Sequence, residues 1–344
     1  MRNALTVLLA FAAGVLLMLW LPSRTTLPAV AGHSATAATE TIAADDNGPA
    51  TPASTDADAN NTDDWPSSGP SPEQVFYAQP RMVREALARL TPRVAGKPNL
   101  YVVTFAGDGG EDVFRNEAEY AAQLFAGRFG ATAHTLVLEN NPDTLATHPL
   151  ASWSNLEDAL DGVAKVMQPD QDILLLYVTS HGDEDHNLLV DMDPLPLDQI
   201  GAPDLAGILA KRPFKWKVLV INSCYSGGFV PPLHGHGTLV LTAARSDRSS
   251  FGCGSDSDAT YFGKAWLVDA LNHTPDFIEA FKQASGEISQ WEHQDKLTAS
   301  EPQIDIGSGI ADQLAQWRKG FKPGPAVAFK PAVPASAGTA GTAQ

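Results

Sequence analysis

The chain has 344 residues, a formal net charge of −17, 44% hydrophobic residues and two cysteines. That acidity excludes nucleic acid as the partner, because phosphate binding needs clustered Lys and Arg, and two cysteines are too few for a disulfide framework. The length allows two domains, but low-complexity stretches at both ends leave about 245 residues, enough for one large α/β core.

Arg2 precedes residues 4–21, an apolar run interrupted only by Thr6 and Gly14. The run nears the length that spans a bilayer, while Ala29-Val30-Ala31 offers a cleavage site. Residues 1–31 therefore read as a signal anchor or as a removed signal peptide. Either one exports the remainder of the chain to the periplasm or the exterior, and an uncleaved segment makes the membrane a partner. No cysteine lies near this segment, which excludes a lipid-anchored lipoprotein. Residues 32–75 are rich in Ala, Thr, Asp, Asn, Ser and Pro and read as a disordered acidic tether.

Residues 76–321 form the expected folded domain. A first strand at 99–105 is closed by Gly107-Asp108-Gly109-Gly110, and Phe114, Ala118, Ala121, Ala122 and Phe125 recur at helical spacing. A strand at 135–138 precedes a helix marked by Leu156, Leu160, Val163 and Val166, entered through Ser154 with Glu157 as the capping-box partner. Strands come next at 173–178, 217–221 and 238–241, with a helical stretch at 204–209 between the first two. Helices at 260–271 and 276–291 and a strand at 303–306 complete a pattern that predicts a mostly parallel sheet with helices on both faces. Residues 322–344, rich in Pro and Ala, read as a disordered tail.

Two strings at strand ends carry the chemistry: Ser180-His181-Gly182 and Asn222-Ser223-Cys224. Open α/β sheets place their sites at the carboxyl ends of the strands, so this histidine and cysteine can face one crevice. A free thiol is only a few per cent thiolate at neutral pH, and an adjacent imidazole raises that fraction and later returns the proton to the leaving group. Gly182, and Gly227-Gly228 beyond the cysteine, let backbone N–H groups approach a reacting carbonyl.

An apolar strand ending in His-Gly, then roughly 40 residues, then an apolar strand ending in Cys before Ser-Gly, resembles the caspase-like cysteine peptidases. Within that clan the chain is most similar to the legumain family. Leu188-Leu189-Val190, the acidic proline-bearing loop behind it, Thr242-Ala243-Ala244, Ser249-Ser250-Phe251-Gly252-Cys253 and Thr260-Tyr261-Phe262-Gly263 carry that likeness over roughly residues 99–275. The resemblance implies the caspase–haemoglobinase fold and a cysteine endopeptidase acting on protein or peptide, with Cys224 as nucleophile and His181 as acid–base partner. It also implies that the backbone N–H groups of Gly182 and Cys224 form the oxyanion hole. It places Asn222, Ser223, Ser250 and Lys264 in the substrate pocket, and a residue orienting the histidine among Asp108, Glu111 and Asp112. Asn222 and Lys264 stand where the family has carboxylates, so a less negative pocket is expected, with cleavage after Asn or Asp, Asp gaining, and poor cleavage after Lys or Arg.

Other constellations carry less. His181, Asp183, Asp185, His186, Asp191 and Asp193 match no zinc or calcium spacing and read as a solvated rim loop. His234-Gly235-His236 reads as a loop without a catalytic role, and the glycines at 107–110 lack the lysine of a phosphate loop. No metal or organic cofactor is implied. Both cysteines are expected free, with Cys253 packing as a small buried residue. Transpeptidation or transamidation on the same dyad, and a non-catalytic exported binding module, are the alternative functions.

Overall fold

Strands β1 (Leu100–Ala106) and β3 (Ile173–Thr179) are seven-residue runs buried at every position, as strands covered on both faces must be. With β2 (Ala133–Glu139), β6 (Trp216–Asn222), β7 (Thr238–Thr242) and β8 (Gln303–Ile306) they form a six-stranded sheet in the order β2-β1-β3-β6-β7-β8. All neighbours are parallel except β8, which pairs antiparallel with β7. Asn187–Leu188 (β4) and Ile200–Gly201 (β5) make a separate two-stranded hairpin. The computed structural model describes residues 65–67 and 69–331. The apolar N-terminal run therefore lies outside the described residues. Among the described residues, no helix is long and apolar enough to cross a membrane.

Alternation along the strands divides the core into two layers. Leu100, Val102, Leu175, Tyr177, Val218, Val220, Leu239 and Leu241 face helices α2 (Asp112–Arg128), α5 (Phe277–Gln294) and α6 (Ile310–Arg318), with Trp266 filling the centre. Val103, Phe105, Leu174, Leu176, Leu219 and Ile221 face α1 (Pro72–Ala88), α3 (Trp153–Val166) and α4 (Ala202–Ala210). The mixed α/β architecture is the one expected.

Three expectations are corrected at the edges. Helix α3 is capped by Ser152, whose hydroxyl accepts from the Asn155 N–H, so the Ser154–Glu157 box does not open it. The ordered domain begins before residue 76: Ser71 and Gln74 form a capping box for α1, and Trp65 packs beside Val75, Leu145 and Leu150. Pro80 disguises α1 in the sequence, and the Gln79 amide donates to the Val75 carbonyl within this proline-interrupted turn. The tail is held as far as Phe329. The Val327 carbonyl accepts from Tyr120 Oη at 2.9 Å, Arg128 donates to the Gly324 carbonyl, and Phe329 meets the Tyr120 ring edge-on.

Candidate active site

Parallel register sets the site. Glu139, Ala106, Thr179 and Asn222 form one row across β2, β1, β3 and β6. Two residues beyond that row on three adjacent strands stand Asp108, His181 and Cys224. The Asp108 Oδ2 lies 3.5 Å from His181 Nε2, and Phe114 of α2 meets the imidazole edge-on at 5.1 Å. Of the three acidic candidates, Asp108 is thus the one paired with the histidine. Asp112 turns to Arg115 and Asn141 instead.

Close backbone approach joins the histidine turn to the cysteine turn. A Cβ on Gly182 would sit 2.4 Å from the Cys224 carbonyl oxygen, so only glycine fits there. Asp183 N–H and His181 C=O make the hairpin bonds to Asn187 and Leu189, and the Gly182 and Cys224 amides donate to no acceptor among the described residues. Cys224 ends a sharp strand-to-helix turn. Tyr225 has φ 55°, a left-handed conformation costing about 1–3 kcal/mol at a non-glycine residue. The Tyr225 N–H is held by the Arg248 carbonyl at 2.7 Å.

The Cys224 thiol is held down to about 5, first by a hydrogen bond from the Cys253 thiol; burial opposes this, and Ser250 and the His181 charge add to it. The Ser250 N–H donates to Cys224 Sγ at 3.3 Å, with the Ser250 hydroxyl 3.6 Å from it. Both cysteines are free. Cys253 is not fully buried, and its thiol pKa is raised in turn by the neighbouring sulfur and by burial. It packs against the cluster that holds Phe114 and Ala118, and its thiol neighbours that of Cys224.

The predicted pocket residues separate. Ser250 contacts the sulfur, whereas Ser223 is buried and donates to the Cys224 carbonyl. Asn222 is 1% exposed and lies beneath the dyad, where its amide donates to Glu117 Oε2 at 2.7 Å. Lys264 is exposed, with Nζ 4.8 Å from the Trp291 ring. It lines a cavity of about 450 Å³ whose walls include neither His181 nor Cys224. His234 pairs with Asp305 and His236 bonds Ser308, both at the opposite edge of the sheet. In the rim loop, His186 contacts the Tyr225 carbonyl and Asp183 accepts from Asn187.

Glu117 on α2 is the residue that sequence reasoning missed. Its Oε2 accepts from Tyr177, Thr179 and Asn222, and its Oε1 from the Thr260 N–H and hydroxyl at 2.8 and 2.7 Å. Burial raises its pKa and these donors oppose the rise. A Cβ on Gly263 would sit 1.9 Å from Oε1, which explains that glycine in the Thr-Tyr-Phe-Gly string. Glu117 thus sets a carboxylate beside Asn222, in the interior beneath the strand ends. A further carboxylate, Glu111, has a buried Oε2 without a hydrogen-bond partner, and its pKa is raised by burial and by Asp108, with the His181 charge opposing.

The family model described as the Peptidase C13 family matches residues 154–312, a span holding both His181 and Cys224. No curated protein matches the chain.

Proposed function

We propose that this chain, which belongs to the peptidase C13 family, hydrolyses peptide bonds through a Cys224–His181 dyad oriented by Asp108. The family implies a cysteine peptidase in general. The observation that carries the finer reading is the arrangement of Asp108, His181 and Cys224, each two residues beyond one row of paired residues on adjacent parallel strands.

The Cys224 thiolate attacks the scissile carbonyl, and the oxyanion that forms takes the N–H groups of Gly182 and Cys224. Losing one such donor typically costs about 10²- to 10³-fold in rate. With Nε2–H facing Asp108, Nδ1 is the basic atom of the imidazole. Protonated, it gives its proton to the leaving amine as the C–N bond breaks and a thioester forms. It then takes a proton from water, which adds to the thioester and releases the acid and the thiolate.

The residue before the cut is asparagine in this reading. Its amide N–H donates to the unpartnered Glu111 carboxylate, whereas an Asp side chain must be protonated to sit beside it. Asp is therefore cleaved at acid pH. The negative charge of the same side chain favours a second reading, in which a Lys or Arg side chain occupies the pocket. We further propose export through the apolar segment at 4–21, on its length and its separation from the folded domain by a polar stretch. Protease accessibility of the domain in intact cells tests the export.

Labelling with a peptide carrying a thiol-reactive group, followed by intact mass, tests the catalytic reading. One adduct on Cys224, abolished by His181→Ala, is expected. Labelling of Cys253 alone would overturn it.

A further inference from the structure

Glu139 ends β2 in the row that carries the dyad strands, and its side chain is wholly buried. Neither of its carboxylate oxygens has a well-aligned hydrogen-bond donor, and the groups set against it are the Glu119 carboxyl and the His148 ring. A buried carboxylate without compensation is strongly disfavoured, and buried charges are ordinarily paired or bound to metal. Its ionic neighbour is His148, whose Nδ1 is 3.1 Å from Oε1 and 3.2 Å from the Thr147 hydroxyl. A second carboxylate, Glu119 of α2, points to the same place. One ligand atom from each of the three side chains lies within 4.8 Å of the others.

This arrangement gathers two negative charges around one partly exposed imidazole. The nearest arginine does not neutralise the carboxylates directly. Arg115 is held by Asp112, Asn141 and Asp143, and it reaches Glu119 only through space. Arg89 acts on His148 from a distance and opposes its protonation.

We propose that Glu119, Glu139 and His148 bind a divalent cation of the zinc type, at a site separate from the dyad. Carboxylate and imidazole together suit zinc, and three protein ligands leave a fourth position for water. Bonds of about 2.0–2.2 Å to a shared ion set tetrahedral ligand atoms roughly 3.3 Å apart, close to the 3.1 Å between His148 and Glu139. A rotamer adjustment of the half-buried Glu119 closes the longest separation. The ion ties α2, the end of β2 and the loop after it into one unit. Asn140, next to Glu139, donates to the Gly107 carbonyl at 2.7 Å, so this unit backs the turn that carries Asp108.

Zinc titration of the full chain against a chromophoric chelator tests the site, with the active thiol first blocked by iodoacetamide so that the dyad takes no metal. One equivalent is expected. Glu119→Gln and His148→Ala, both at partly exposed positions, should each keep the circular dichroism of the parent and weaken binding. Loss of a direct ligand costs at least what loss of an outer-shell partner does, about 10- to 100-fold. His234→Ala, at an exposed histidine paired with Asp305, should bind as the parent does. No zinc retained against the chelator, or parental affinity in either ligand variant, overturns the proposal.

Discussion

Thr179 and Asn222 are register partners on β3 and β6, bonded to each other at 3.3 Å, and both donate to Glu117 Oε2. They stand two residues ahead of His181 and Cys224, so the Glu117 carboxylate fixes from below the spacing of the two turns that carry them. Glu117→Ala strands several donors in a dry interior at about 1–3 kcal/mol each. A domain of this size loses about 2–4 °C in Tm per kcal/mol, so a fall of more than about 10 °C is expected by calorimetry. Glu117→Gln keeps the shape but sets an amide against the Thr260 N–H. It should fold and show a lower kcat with KM nearly unchanged. An unaltered kcat would show that the carboxylate does not position the dyad.

Acid dependence arises from Cys224. Its pKa in the folded chain, about 5, lies below that of a free thiol, so the thiolate contributes stability that is full above the unfolded pKa and lost as pH falls through 5. The rate of alkylation at Cys224 should show its acid limb near pH 5. Cys253→Ala removes the leading hydrogen bond and should move that limb upward. A limb near pH 8 in the parent, or no movement in the variant, would contradict the arrangement of the two thiols.

In the proposed pocket, specificity turns on Glu111. Peptides differing only in the residue before the cut should give kcat/KM in the order Asn, then Asp, with Asp rising as pH falls. Glu111→Gln should reduce the pH dependence of Asp cleavage. A preference for Arg or Lys selects the second pocket reading and leaves the dyad untouched.

The ends of the ordered domain predict the effect of truncation. Removing residues 322–344 withdraws acceptors from Tyr120 and Arg128 and takes the Phe329 ring from the edge of Tyr120. A lower Tm is expected, with the dyad chemistry retained. Beginning the chain at residue 76 should cost more than beginning it at 65, because α1 loses its cap and first turn. Equal unfolding curves for both would place the boundary where sequence composition suggested.

The strand ends were legible because parallel strands buried on both faces read as unbroken apolar runs, and a polar residue after such a run marks the catalytic edge. His181, Gly182 and Cys224 stand out on that ground alone. Glu117 was not legible: nothing in the sequence of α2 tells that one glutamate points under β3 and β6 while Glu119, two residues on, turns toward Glu139. The Glu119, Glu139 and His148 cluster is scattered along the chain and has no spacing to betray it. Lys264 was carried toward the pocket only by its place after the glycine of the Thr-Tyr-Phe-Gly string, and chain position alone does not tell that its Nζ lies over the Trp291 ring. Lys322 to Phe329 looked like a free tail because backbone carbonyls, absent from any composition count, are what hold it.

The most direct measurement of the central claim is kcat/KM for one Asn-containing peptide with the parent chain, Cys224→Ala, His181→Ala and the double variant. Residues acting as one unit are strongly non-additive, and each single loss should cost about 10⁴-fold or more. The double variant should be no slower than either single one. Cleavage by Cys224→Ala at the parental rate, or losses that multiply in the double variant, would contradict the dyad.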